Sequence, residues 1–198
     1  MGPRTLLIIV SGPSGAGKDS IVKALIQRGL PLRMAITATT RSPRPGEQDG
    51  VDYHFVSPEE FGRMVADDQL LEWAEVYGNR YGVPRAQVRE ALEQGESVIV
   101  RTDVQGVENI RRIDPTALTI FVAPPSMESL EKRLTARGGI DEAGVRRRLE
   151  EARSEMPLAD GFDFTVVNDD GGVEAAVDRT AEIIESESRR TDRPWPVV

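Results

Sequence analysis

Apolar positions follow two rhythms along most of this chain. Short continuous β-branched runs at 6–10, 96–100, 118–122 and 164–167 predict buried strands. Between them, apolar residues recur at helical spacing over 19–28, 105–112, 126–137, 142–155 and 172–188, and Gly29 closes the first of these helices. Strand–helix alternation of this kind predicts an α/β fold with a parallel sheet and helices on both faces. The stretch 34–89 breaks the rhythm. Pro43, Pro45, Gly46, Gly50, Gly78 and Gly82 punctuate short alternating runs at 53–56 and 71–76. It reads as a small strand-rich insertion with one helix over 58–67. The last residues, 187–198, are polar and then Pro-rich, and are expected to be poorly ordered.

Composition narrows the chemistry. The chain has 198 residues, a length that suits one domain with insertions. Cysteine is absent and His54 is the only histidine, which excludes thiolate chemistry and multi-histidine metal sites. A formal net charge of −8 disfavours non-specific nucleic-acid binding and adsorption to membranes. The first apolar run is too short to span a bilayer and has no small-residue cleavage site behind it, so the expected location is the cytoplasm. Lysine occurs only at 18, 23 and 132, and the other cations are arginines, whose planar forks suit phosphate and carboxylate.

The sharpest motif lies between the first strand and the first helix. Gly12, Pro13, Ser14, Gly15, Ala16, Gly17 and Lys18 have the spacing of a phosphate-binding loop in the strand–helix context that pattern needs. Glycines bring backbone N–H groups close to phosphate, the helix N-terminus adds partial positive charge, and Lys18 can reach the outer phosphates of a nucleoside triphosphate. The Ser or Thr that usually follows the lysine and serves Mg²⁺ is here Asp19, with Ser20 next. Asp19 is open to two readings, a helix-start carboxylate or a metal contact.

A second constellation lies in the insertion. It comprises Thr39-Thr40-Arg41-Ser42-Pro43-Arg44-Pro45-Gly46-Glu47, then Gly50-Val51-Asp52-Tyr53-His54-Phe55, Glu72-Trp73 and Asn79-Arg80-Tyr81-Gly82. Two arginines three apart with a tyrosine can grip a phosphate, and a carboxylate can accept two N–H donors in one plane, as guanine N1 and N2 offer. With the phosphate loop, and with Asp103-Val104-Gln105-Gly106 and Val167-Asn168-Asp169-Asp170 further on, these blocks resemble the guanylate kinase family from about residue 5 to 186.

The resemblance implies a three-layer P-loop kinase fold whose domain spans 1–186. The core would be 1–33 and 90–186, the insertion 34–89 would bind GMP, and an arginine-bearing lid would lie at about 133–150. It implies transfer of the γ-phosphate of ATP to GMP, with dGMP also accepted, and Mg²⁺ as cofactor. Arg41, Arg44, Tyr53 and Tyr81 would hold the GMP phosphate. Glu72 would read guanine, with Thr37 and Asp103 on the same side. Arg133, Arg137 and Arg148 would meet the ATP phosphates, and Asn168 would lie near adenine. Lys18, Arg41, Arg44, Arg137 and Arg148 would be the catalytic set. No nucleic acid or membrane partner is expected.

Three positions depart from the family pattern. They are Asp19, Arg101 where an Asp is usual, and Val83 where a Ser or Thr is usual. The paired change suggests that the acidic group has moved to Asp19, with Arg101 offsetting its charge. His54 is expected to be solvated. Two alternatives remain open at this point: a ribose 1,5-bisphosphate kinase on the same fold, and a non-catalytic guanylate-kinase-like binding module.

Overall fold

A computed structural model describes residues 4–76, 78–136 and 141–198. Five parallel strands form the main sheet: β1 (Leu7–Ser11), β2 (Leu32–Met34), β7 (Ser97–Arg101), β8 (Leu118–Ala123) and β9 (Phe164–Val167), in the order β2-β7-β1-β8-β9. Alternate side chains of β1 serve two cores. Ile8 and Val10 pack with α1 (Lys18–Gln27) and α7 (Glu174–Arg189), whereas Leu7 and Ile9 pack with α3 (Arg85–Glu93) and α4 (Val104–Ile113). A strand covered on both faces must be apolar throughout, which is why the run at 6–10 has no polar alternation.

A second sheet, in the order β4-β3-β6-β5, is built from β3 (Ala38–Thr39), β4 (His54–Phe55), β5 (Leu70–Val76) and β6 (Asn79–Pro84). Phe61 of α2 (Pro58–Ala66) fills its small core with Ala38 and Leu70. A third cluster, Leu130, Leu134, Val145, Leu149 and Ala152, joins α5 (Met127–Ala136) to α6 (Glu142–Glu155). A short 3₁₀ helix, Met156–Gly161, leads into β9.

Three features differ from the expectations. Helix α3 begins inside the stretch read as strand-rich insertion. Its apolar face is thin, and the buried Val88 and Ala91 supply most of it. The segment after Glu187, expected to be poorly ordered, lies against the protein. Arg193 pairs with the buried Glu187 and donates to the Thr116 carbonyl, and Val197 N–H donates to the buried Asp114. Two buried carboxylates, each with acceptor capacity beyond its local partner, hold this polar tail down. His54 is half-buried beside Gln87 rather than solvated, with Nε2 3.0 Å from Gln87 Nε2.

Candidate active site

The phosphate loop emerges from the carboxyl end of central strand β1, where open parallel sheets bind ligands. Gly12 has φ +130°, and a Cβ there would lie 2.2 Å from the Val122 carbonyl oxygen. Gly17 has φ +100°, and its Cβ would lie 2.1 Å from Asn168 Nδ2. Neither position admits a side chain, so the loop can wrap closely around an anion. Asn168 braces it by donating from Nδ2 to the Ala16 carbonyl at 2.8 Å.

Lys18 is the first residue of α1 and folds back over the loop, donating to the carbonyls of Gly12 and Pro13. Burial lowers its pKa, against the opposing charges of Asp19, Glu155 and Asp103. Gly15 packs against Leu130 and Leu134 of α5, and Arg148 of α6 approaches Ser14 Oγ at 3.4 Å. Arg133 donates to the Ala16 carbonyl of the loop at 3.4 Å, to the Asn168 carbonyl at 2.8 Å and to Asp170 at 2.7 Å, in a cleft of about 440 Å³ that Gly15, Gly17, Ser20 and Asn168 also line. Arg137 lies outside the described residues.

A second group of side chains is gathered around the small sheet. Glu47 holds Arg41 through both carboxylate oxygens at 3.0 Å and accepts the Arg44 backbone N–H at 2.7 Å. Arg41 lies over the Tyr53 ring at 5.2 Å, and Tyr81 meets Tyr53 edge-on at 6.2 Å. Three residues singled out in the sequence, Arg41, Tyr53 and Tyr81, thus converge, whereas the Arg44 side chain is exposed. Glu47 is a site residue that sequence pattern marks only by its spacing of six residues from Arg41 across a Pro-Gly turn.

Glu72 is 6% exposed. Its Oε1 accepts the Thr102 hydroxyl at 2.8 Å, and its Oε2 is buried with no hydrogen-bond partner. Burial pushes its pKa up to about 7, with the Thr102 hydrogen bond opposing and the Asp103 charge adding. Gly106 leaves room for this carboxylate, since a Cβ there would lie 2.0 Å from Thr102 Oγ1 and 2.8 Å from Glu72 Oε2. Asp103 caps α4 through the Gly106 N–H at 2.8 Å, and Thr37 is buried nearby in the chain between β2 and β3. Val83 is fully buried in the core rather than facing the cleft as a polar contact. Thr102 is a functional neighbour that sequence reasoning missed.

Asp19 Oδ1 and Arg101 Nη1 lie 2.6 Å apart. Among the described residues no three carboxylate or imidazole side chains converge on a metal site. One hard carboxylate at the mouth of a triphosphate loop nonetheless suits Mg²⁺, which takes one or two carboxylates together with phosphates and water.

The chain thus holds a phosphate-binding loop, a buried and half-satisfied carboxylate and an arginine–tyrosine cluster. The guanylate kinase family model matches residues 4–187. The chain belongs to the guanylate kinase family. It is 44% identical over 188 residues to a guanylate kinase of Caldanaerobacter subterraneus subsp. tengcongensis, covering 95% of this chain and 90% of that one. It is 46% identical over 191 residues to a guanylate kinase of Symbiobacterium thermophilum, covering 96% and 90%. A crystal structure of guanylate kinase from Anaplasma phagocytophilum superposes with a TM-score of 0.80 at 29% identity, covering 96% of this chain and 90% of that chain. As in a P-loop kinase fold, the central sheet is parallel and flanked by helices. Among the described residues, no helix is long and apolar enough to cross a membrane.

Proposed function

We infer that this guanylate kinase transfers the γ-phosphoryl group of ATP to GMP, and that the residues around the cleft divide the work as follows. An oxygen of the GMP phosphate attacks the γ-phosphorus, the bond to the β–γ bridging oxygen breaks, and ADP and GDP result. The attacking oxygen is already anionic, so the chain needs no strong general base. Its task is to position two anions and to neutralise their charge.

The observation that carries GMP as acceptor is Glu72 Oε2, buried and unpaired beside an oxygen that is already satisfied. A buried acceptor without a donor is costly, and guanine N1–H and N2–H supply donors in one plane. Thr37 and Asp103 support the same side. Arg41, Arg44, Tyr53 and Tyr81 hold the GMP phosphate, with Glu47 fixing the arginine turn.

On the donor side, the loop from Gly12 to Gly17 and Lys18 hold the β- and γ-phosphates. Lys18 exchanges its contacts with the loop carbonyls for phosphate oxygens. Ser14 and Ser20 flank the loop, Asn168 borders the adenine, and Arg133, Arg137 and Arg148 supply charge to the ATP phosphates. Asp19 is the residue that would hold Mg²⁺, which when bound neutralises charge on the triphosphate. Closure of the lid and of the small sheet excludes water and so limits ATP hydrolysis.

The test is a coupled ADP-release assay across GMP, dGMP, AMP, UMP, CMP and ribose 1,5-bisphosphate. GMP should be the best acceptor by a wide margin, with dGMP turned over as well. Equal turnover of ribose 1,5-bisphosphate overturns the assignment, as does failure to turn over any acceptor.

A further inference from the structure

Arg101 ends β7 beside Val10 of β1, so its side chain leaves the main sheet at the edge where the phosphate loop begins. That side chain is 9% exposed and touches both halves of the cleft. Nη1 donates to Asp19 Oδ1 at 2.6 Å on the phosphate-loop side. The guanidinium lies over the Tyr53 ring, 5.9 Å from its centroid, on the side of the Arg41 grip. Its Nε is buried with no hydrogen-bond partner.

These contacts are chemically unequal. The pair with Asp19 neutralises a carboxylate that would otherwise sit beside a triphosphate. The contact with Tyr53 uses the flat face that only a guanidinium offers. An N–H left buried and unpaired is costly, and such a donor beside a phosphate grip is completed by an anionic oxygen.

We propose that Arg101 is a further substrate residue of the acceptor site, in which its Nε–H meets the GMP phosphate while its Nη1 holds Asp19 on the donor side. This rests on the phosphotransfer reading and adds a seam between the two nucleotides. Asp19 and Tyr53 belong to opposite substrates, and one cationic side chain fixes both. The acidic residue usual in this family at position 101 could form neither contact.

Titration calorimetry on the full chain tests this with GMP, guanosine and ATP as separate probes. In Arg101→Met the Kd for GMP should rise about tenfold, the loss of one charge-assisted hydrogen bond. Guanosine has no phosphate and should bind as in wild type. Arg101→Lys restores a cation for Asp19 but neither the Nε donor nor the planar face. It should keep ATP affinity within about twofold of wild type and still weaken GMP about fivefold. Thermal melts of both variants establish that they are folded. The proposal is overturned if Arg101→Met leaves GMP affinity within about twofold of wild type, or weakens guanosine in proportion to GMP. It is equally overturned if the lysine variant restores GMP binding in full. Failure of the wild-type chain to bind GMP counts instead against the function proposed above.

Discussion

Thr102 donates its hydroxyl to Glu72 Oε1 at 2.8 Å, and so decides which oxygen of that carboxylate is left for a ligand. The other oxygen, Oε2, is buried and unpaired above Gly106. One neighbour orients the carboxylate and the other leaves it space. Neither residue needs to touch the nucleotide to set how the base is read.

Glu72→Gln replaces an acceptor with a donor that faces guanine donors. Charge-assisted hydrogen bonds are worth about 1.5–3 kcal/mol each, so kcat/KM for GMP should fall at least about a hundredfold. ATP affinity should be unchanged. Steady-state kinetics with each nucleotide varied in turn separates the two effects.

Binding of GMP should depend on pH through the same residue. The free-enzyme pKa of Glu72 is about 7, and the guanine donors require the charged form. GMP affinity should therefore fall as pH drops below about 7, approaching tenfold per unit. ATP affinity should show no such step. In the unliganded protein the sign is opposite. A carboxyl whose pKa rises on folding, from 4.5 to about 7, contributes most to stability below the unfolded value, and that contribution is lost as pH rises through the folded one. Calorimetric melts from pH 4.5 to 8 should show a decline that Glu72→Gln removes.

Glu47→Ala should release both arginines of the acceptor grip while leaving the base site intact. Arg41 loses a bidentate partner and the Arg44 backbone loses its acceptor. The KM for GMP should rise about tenfold with a smaller change in kcat, because the arginines remain but are no longer pre-set. An unchanged KM would mean that the turn at Pro43–Gly46 holds the arginines by itself.

Asp19→Ala should raise the Mg²⁺ concentration needed for half-maximal rate and lower kcat. Asp19→Ser should restore the Mg²⁺ dependence poorly unless Arg101→Asp is made with it, a coupling that a double-mutant cycle in Mg²⁺ dependence measures, while the KM for GMP stays raised in every variant that lacks Arg101. Unchanged kcat and Mg²⁺ dependence in Asp19→Ala would reduce Asp19 to a helix-start residue.

The C-terminal segment should matter for stability and not for chemistry. Arg193→Ala leaves Glu187, 4% exposed, with only the longer contacts of Arg190. Breaking a buried pair costs about 3 kcal/mol, and each kcal/mol shifts Tm by about 2–4 °C at this chain length. Differential scanning calorimetry should record the drop while KM for both nucleotides stays at wild type.

Sequence pattern was enough for four of the five strands of the main sheet and for the phosphate loop, because these depend on local rules. It missed the three-residue β2, and only the family resemblance grouped Arg41, Arg44, Tyr53 and Glu72 as one set. A strand buried on both faces must be continuously apolar, a helix must repeat near every fourth residue, and a loop around phosphate must have glycine where Gly12 and Gly17 stand. Even the exchange of character between Asp19 and Arg101 could be read as a pair, because both departed from one pattern. Tertiary structure alone decided the contacts made across distant segments. Nothing near Thr102 in the chain marks it as the partner of Glu72, thirty residues away. The tail reads as a loose polar end until Glu187 and Asp114 are found buried beneath it. Arg133 reads as one more surface arginine until the Ala16 and Asn168 carbonyls and Asp170 are seen to hold it against the phosphate loop. Local pattern specifies what a segment must bury. Which polar atom is left without water, and so must find a partner, depends on what packs against it.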